Sequence, residues 1–180
     1  QGYRPQGLAE LGFSPLEAAR LNPGIVYVCL SAYGSIGPWA GRRGFDSLVQ
    51  TSTGFNHAEG QAAGVEGPKE LPMQILDHGT GYLMAVGAMM ARARQAHEGG
   101  SWHVQVSLAR TGHWLWNLGR LESGLATADI DREAVLPLIE QSSSGFGKLS
   151  AVRHAAILSA TPAAWARPAV PLGTHPPQWP

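Results

Sequence analysis

Two aspartates lie at or near the starts of predicted helices, and their carboxylates are the groups in this sequence best suited to chemistry. Asp77 follows the apolar run 71–76 and begins a long amphipathic helical pattern. A carboxylate at a helix start can accept hydrogen bonds from free backbone N–H groups, and the helix dipole stabilises its charge. Asp77 is therefore either a helix N-cap or an ionised nucleophile, and the residue taken alone favours the cap.

Asp46 begins a shorter helical pattern, and Arg42 and Arg43 come just before it. Paired arginines can hold a phosphate group through charge-assisted hydrogen bonds. A solvated surface loop is the simpler explanation for both arginines when no other context is considered. Asp46 is likewise explained most simply as an acidic residue in the first turn of a helix.

Other catalytic and ligand-binding patterns are absent from the sequence. The seven histidines form no H-E-x-x-H or other tight ligand pair, and a single cysteine, Cys29, excludes a cysteine-based zinc site. Residues 145–148 lack the earlier glycine of a phosphate-binding loop, and no G-x-G-x-x-G opens a helix. The sequence therefore predicts no metal site and no tightly bound cofactor.

The bulk composition is that of a globular domain. The chain has 180 residues, of which 44% are apolar and 14% are charged. A net charge of zero gives no electrostatic argument for binding nucleic acid, and no apolar run is long enough to span a membrane. A single cysteine within an apolar run suits a reducing compartment, so we expect a cytoplasmic protein.

The order of the predicted elements is typical of an α/β protein. The run 25–30 is rich in β-branched residues and predicts a strand buried on both faces, as in a parallel sheet. Residues 102–108 alternate between apolar and polar and predict a half-buried strand. The predicted helices are 15–21 with Ser14 as cap, 45–53, a long one from Asp77 to 98, and 109–121; a polar loop is predicted at 59–71.

The last third of the chain is weakly patterned. Residues 141–145 predict an exposed linker, and residues 149–158 a short helix. A proline-rich tail from 167 to 180 is expected to lie extended on the surface.

Several blocks resemble the family III CoA-transferases, the CaiB/BaiF family, which also contains formyl-CoA transferase and the α-methylacyl-CoA racemases. The blocks are 21–38, 43–50, 76–84 and 98–108, in the family's order and at its spacings. The resemblance covers residues 1 to about 121, and the ending 169–175 is also similar to a family C-terminus.

The resemblance implies that Asp77 is the nucleophile of an acyl-CoA:carboxylate CoA-transferase. Its carboxylate would attack the acyl-CoA thioester, and an aspartyl-CoA thioester would pass the CoA to an incoming carboxylic acid. Asp46 would orient the substrate or polarise the site. No metal is required, and CoA and acyl-CoA take part as substrates.

The resemblance also implies two CoA-contacting segments. Gly2, Tyr3 and Arg4 match the first segment, and Arg42, Arg43, Gly44 and Phe45 match the second. Racemase-type relatives carry a histidine acid/base at the position of Phe45. Phenylalanine cannot move a proton, so a racemase-like acyl-CoA enzyme is only the alternative prediction.

The family's architecture completes these expectations. It implies an open, mostly parallel, Rossmann-like sheet with flanking helices in an interlocked homodimer. We expect residues 1–121 to form the central part of the large domain, 122–148 a linker or reduced small-domain segment, and 149–180 a C-terminal helix and tail. The family's N-terminal portion has no counterpart here, so a catalytically silent dimerisation fragment is a further alternative.

Overall fold

The computed structural model describes residues 1–4 and 6–178. Trp179 and Pro180, the end of the predicted tail, lie outside the described residues, as does Pro5. The chain forms two compact units, Gln1–Ala126 and Thr127–Pro180. Each unit is described by itself.

The first unit is built on a pair of parallel strands. β1 (Val26–Ser31) lies beside β2 (Trp102–Ser107), with Val26 opposite Trp102 and Ser31 opposite Ser107. Parallel neighbours need a long crossover, and α4 (Ile75–Glu98) is the longest element of that connection and packs against both strands. The predicted α/β class with a parallel sheet is confirmed. Every residue of β1 is only half-buried, so the expectation of burial on both faces is wrong.

The remaining helices of this unit follow the sequence pattern closely. In α1 (Pro15–Leu21), the Ser14 and Glu17 side chains cap the helix reciprocally, which satisfies two backbone donors that a helix start leaves free. α2 spans Asp46–Ser52. In α5 (Leu108–Asn117), Ser107 is the cap and accepts from the backbone N–H of Arg110. α5 is shorter than the predicted helix 109–121.

A third helix replaces part of the predicted loop 59–71, and that prediction is wrong. α3 spans Phe55–Ala63, and the chain then turns back along it. The backbone N–H of Lys69 donates to the carbonyl of Asn56 (2.8 Å), and that of Val65 donates to the carbonyl of Gly60 (3.2 Å). These contacts come from the returning chain, so the glycine-rich local pattern did not reveal the helix.

The core lies where the strands end and three helices begin. Its buried members are Ala32, just after β1, Val49 of α2, Leu76 of α4 and Leu108 of α5. Val49 and Leu76 are fully buried. Apolar burial at this place fixes the starts of α2, α4 and α5 relative to one another.

The second unit contains an antiparallel hairpin. A short helix, α6 (Arg132–Val135), precedes β3 (Ile139–Ser144) and β4 (Gly147–Val152). The predicted exposed linker 141–145 and the predicted helix 149–158 are therefore wrong. The turn explains the error: Gly147 adopts a φ of 94°, and the Ser144 hydroxyl accepts from the N–H of Phe146. The described part of the tail is exposed except for the half-buried Val170, and it includes a turn at 172–173.

Within the described residues, no helix has both the length and the apolar content that a membrane crossing requires.

Two glycines of α4 should respond oppositely to the same substitution. A Cβ at Gly87 would lie 2.7 Å from Cγ1 of Val104, because α4 packs closely on β2 there, whereas Gly81 has open space around it. We expect Gly81→Ala to stabilise the protein by about 0.5–1 kcal/mol through helix propensity. Gly87→Ala should destabilise it by about 1–3 kcal/mol through overpacking. Urea denaturation measures both variants, and a gain in stability for Gly87→Ala would contradict the close packing.

Candidate functional site

The start of α4 carries Asp77 in its first turn. The helix begins at Ile75, so Asp77 is its third residue, and Gln74 occupies the N-cap position without a side-chain capping bond. The expectation that Asp77 is the N-cap is therefore wrong. Its side chain is exposed, and within the described part of the chain no backbone N–H donates to its carboxylate.

The cap of α4 comes instead from a distant residue. Asp46, the first residue of α2, is 1% exposed, and its Oδ2 accepts a hydrogen bond of 2.8 Å from the backbone N–H of Asp77. The two residues are 31 positions apart. Backbone N–H groups in the first turn of a helix have no acceptor within the helix, so this carboxylate satisfies a donor that would otherwise be free.

A buried glutamine holds Asp46. Nε2 of Gln50 donates to Oδ1 of Asp46 and also to the carbonyl of Met73 (3.2 Å), and its Oε1 accepts from the N–H of Leu71 (3.4 Å). Sequence reasoning missed this residue as part of the site. The available signal was its position four residues after Asp46, which puts both side chains on one face of α2.

A second polar contact fixes α4 against α5 one turn after Asp77. The hydroxyls of Thr80 and Thr111 are 2.7 Å apart, and both side chains are almost fully buried. Thr111 donates to the carbonyl of Ser107 (3.1 Å), so Thr80 is the donor to Thr111. A Cβ at Gly79 would lie 3.3 Å from Cγ2 of Thr111. The small residue after His78 therefore allows the two helices to approach.

The electrostatic environment of Asp77 opposes its ionisation. Neighbouring atoms partly shield the Asp77 carboxyl from water, and this desolvation raises its pKa above the ordinary value; the charge of Asp46 raises this pKa further, and His78 lowers it. The expectation that the helix start keeps Asp77 readily ionised is thus opposed by its surroundings. Because the folded-state pKa exceeds the unfolded one, the protonated carboxyl favours folding. That contribution is present below the unfolded pKa and is lost as the pH rises through the folded pKa.

Both segments that the sequence links to CoA line one cleft of about 730 Å³. The first segment contributes Gly2, Tyr3 and Arg4, and the second contributes Arg42, Arg43, Gly44 and Phe45. The other described lining residues, which sequence reasoning did not single out, are Gly7, Leu8, Leu11, Ser31 and Ala32. The fold therefore brings together two segments that are about forty positions apart in the chain.

The cleft lies at the carboxyl end of β1, where ligands commonly bind in parallel sheets. Its described lining contains three arginines and no carboxylate, which favours an anionic ligand. Gly44 permits the second segment to pack closely, since a Cβ there would lie 2.8 Å from Cβ of Ala32. The guanidinium of Arg42 lies over the ring of Trp39, 5.3 Å from its centroid.

Asp46 links the cleft to the backbone of Asp77. Phe45 lines the cleft and is 82% exposed, and Asp46, the next residue, contacts the backbone of Asp77. Asp77 itself lies outside the cleft lining. The start of α2 thus joins a cleft lined by arginines to the helix turn that carries the exposed Asp77 carboxylate.

Metal ligands do not cluster at this site. Among residues 1–4 and 6–178, no group of three or more His, Cys, Asp and Glu side chains is arranged to hold a metal ion.

Comparison with known proteins identifies the family. The model of CoA-transferase family III matches residues 1–174. The chain belongs to CoA-transferase family III.

Relatives within this family share about a third of the residues that align. The chain is 32% identical over 117 residues to the acetyl-coenzyme A transferase nodX of Hypoxylon pulicicidum, covering 63% of this chain and 20% of the relative. It is 31% identical over 100 residues to the succinyl-CoA:glutarate CoA-transferase of Mus musculus, covering 56% of this chain and 22% of the relative. This family III chain therefore spans about a fifth of the length of those relatives.

Solved structures of the family support the fold. The crystal structure of Rv3272 from Mycobacterium tuberculosis matches with a TM-score of 0.58 and 26% identity, covering 66% of this chain and 33% of that one. A CAIB/BAIF family protein from Brucella suis matches with a TM-score of 0.60 and 20% identity, covering 82% and 39%. At that identity the second likeness shows the fold alone.

The influence of His78 on Asp77 can be tested directly. His78 lowers the pKa of Asp77 through its positive charge, so we expect His78→Gln to raise that pKa. Both His78 and the control residue His97 are exposed on α4, and His97 lies at the far end of the helix. Carbon-13 NMR titration of the aspartate carboxyls measures the pKa in each variant. A pKa of Asp77 that is unchanged in His78→Gln, or that shifts equally in His97→Gln, would contradict the assignment.

Proposed function

We propose that this family III chain carries the nucleophile and part of the CoA site of an acyl-CoA:carboxylate CoA-transferase. The observation that carries the proposal is the cationic cleft formed jointly by residues 2–4 and 42–45, joined through Asp46 to the first turn of α4. The guanidinium groups of Arg4, Arg42 and Arg43 suit the phosphates of CoA. Relatives named as acetyl-CoA and succinyl-CoA:glutarate transferases support a CoA thioester as one substrate and a carboxylic acid as the other.

In the proposed reaction, the Asp77 carboxylate attacks the thioester carbonyl of the acyl-CoA. The C–S bond breaks, the CoA thiolate leaves, and an acyl–aspartyl anhydride forms. The thiolate then attacks the Asp77 carbonyl, which releases the donor acid and leaves an aspartyl-CoA thioester. The acceptor carboxylate repeats the two exchanges in reverse order, giving a new acyl-CoA and free Asp77. In each step a carboxylate and a thiolate change places on an acyl carbon, and no net proton is transferred.

The first turn of α4 suits the charges that develop in this reaction. Each tetrahedral intermediate carries a negative oxygen, and helix N-terminal N–H groups stabilise such an oxyanion. Asp46 is buried and already accepts two hydrogen bonds, so we assign it a positioning role and no contact with substrate. Phe45 borders the cleft and has no ionisable group, which disfavours the racemase-like alternative.

The proposal includes a homodimer. α4 exposes an apolar stripe at helical spacing, formed by Tyr82, Val86, Met89 and Met90. Exposed apolar patches of this kind mark surfaces that contact another protein segment, and a second copy of the chain is the occupant we expect.

Covalent trapping tests the nucleophile. Incubation with an acyl-CoA and hydroxylamine should convert the Asp77 carboxyl to a hydroxamate, which peptide mass spectrometry localises. Asp77→Asn should reduce trapping and CoA transfer by about three orders of magnitude or more. Asp129→Asn, an exposed acid in the second unit, serves as the control and should retain both. Full transfer activity in Asp77→Asn would overturn the proposal, and deuterium wash-in at the acyl α-carbon would favour the racemase-like alternative.

Calorimetry with CoA tests the cleft. We expect saturable binding that Arg43→Gln weakens by about tenfold, because one charge-assisted contact to phosphate is lost. Arg20→Gln removes an exposed arginine from α1, outside the cleft lining, and should leave the affinity unchanged. An absence of saturable binding in the unmodified chain would favour the silent dimerisation module.

A further inference from the structure

The backbone at Asp77 is held by a residue of another helix. As the third residue of α4, Asp77 has a backbone N–H without an acceptor in its own helix, and the N-cap Gln74 supplies no side-chain bond. The only acceptor that the described residues offer is Oδ2 of Asp46. The orientation of the first turn, and with it the direction of the Asp77 side chain, therefore depends on where the Asp46 carboxylate sits.

Asp46 in turn depends on Gln50. A carboxylate that is 1% exposed needs hydrogen-bond donors in place of water. It receives one from the N–H of Asp77 and one from Nε2 of Gln50. Loss of the glutamine amide would leave Oδ1 without a partner, so the carboxylate would rotate or draw in water, and Oδ2 would move with it.

Gln50 also fixes the segment that leads into α4. Its amide accepts from the N–H of Leu71 and donates to the carbonyl of Met73, on the two sides of Pro72. The side chain is 3% exposed, and Gln50 does not line the cationic cleft. Two routes to Asp77, one through the Asp46 carboxylate and one through the backbone of residues 71–76, therefore meet at a single buried amide.

We propose that Gln50 is the positioning residue of this site, which sets the orientation of Asp77 through Asp46 and through the lead-in to α4. The inference rests on the proposed function, in which Asp77 must reach a thioester whose CoA portion lies in the cleft. Misorientation of the nucleophile slows the chemical step without changing the cleft. Loss of Gln50 therefore lowers kcat and leaves the KM for acyl-CoA close to its original value.

The test uses Gln50→Met, which keeps the length of the side chain but removes the amide. Gln61→Met is the matched control, because Gln61 is exposed on α3. Native-state hydrogen exchange followed by NMR is the first measurement, since it needs no enzymatic activity. We expect the Asp77 amide to exchange about tenfold faster in Gln50→Met, with β1 and β2 amides unchanged. Gln61→Met should leave the Asp77 amide as it is.

Steady-state kinetics are the second measurement. We expect Gln50→Met to lower kcat by about tenfold or more while the KM for acyl-CoA changes by less than about twofold. Gln50→Glu is a second variant in case Gln50→Met does not fold. It keeps the shape and the acceptor for Leu71 but loses both donated bonds, so it should show the same two changes.

The outcomes separate this inference from the proposed function. If Asp77 exchanges at the unmodified rate in either folded variant, or if β1 and β2 lose protection equally, Gln50 has no positioning role. If Gln50→Met raises KM and leaves kcat unchanged, the positioning role is also wrong. If the exchange result holds but Asp77→Asn retains full transfer, Gln50 positions the first turn of α4 and the proposed nucleophile is wrong.

Discussion

A hydrogen bond between the Asp46 carboxylate and the backbone N–H of Asp77 joins two helices that the sequence separates by 31 residues. The side chain that caps a helix usually belongs to the N-cap residue itself, so the cap depends on the local sequence. Here the cap comes from α2, so the first turn of α4 is correct only when α2 is correctly docked. That docking depends in turn on the close approach of Gly44 to Ala32 and on the burial of Val49 in the core. The geometry of the candidate site therefore depends on the packing of the first unit as a whole, and no single helix determines it.

The same contact has an electrostatic consequence. Partial desolvation raises the pKa of Asp77, and the charge of the buried Asp46 carboxylate raises it further. The helix dipole and His78 act in the opposite direction. The charge of Asp46 therefore works against ionisation of Asp77 while its hydrogen bond orders the backbone there. An uncharged capping side chain would avoid the repulsion between the two carboxylates. A carboxylate, however, has two acceptor oxygens, and in Asp46 one accepts from Gln50 and the other from the N–H of Asp77.

Much of the first unit could be predicted because its signals are local. The β-branched run of β1, the alternation of β2 and the helical period of α4 are each visible in the local sequence, and the three elements appear within a few residues of the predicted bounds. The start of α4 could not be found in this way, because Gln74 and Ile75 carry no start signal and Asp77 resembles a cap. Helix α3 and the hairpin β3–β4 were missed for a related reason. Glycines in the first segment and serines and glycines in the second indicate loops, but contacts with the returning chain or a neighbouring strand decide the structure.

The candidate site shows the same division between local and non-local information. The residue types at 42–46 and 77 allowed simpler explanations, and only the family blocks led to the prediction that these residues form one site. The role of Gln50 was not visible, because an amide in the middle of a helix is ordinary unless its partners are known. Those partners lie at positions 46, 71 and 73, and only the last two are distant in sequence. Buried amides that bridge a short helix and a distant loop are found from the packing, because hydrogen-bond satisfaction is a requirement of the folded state alone.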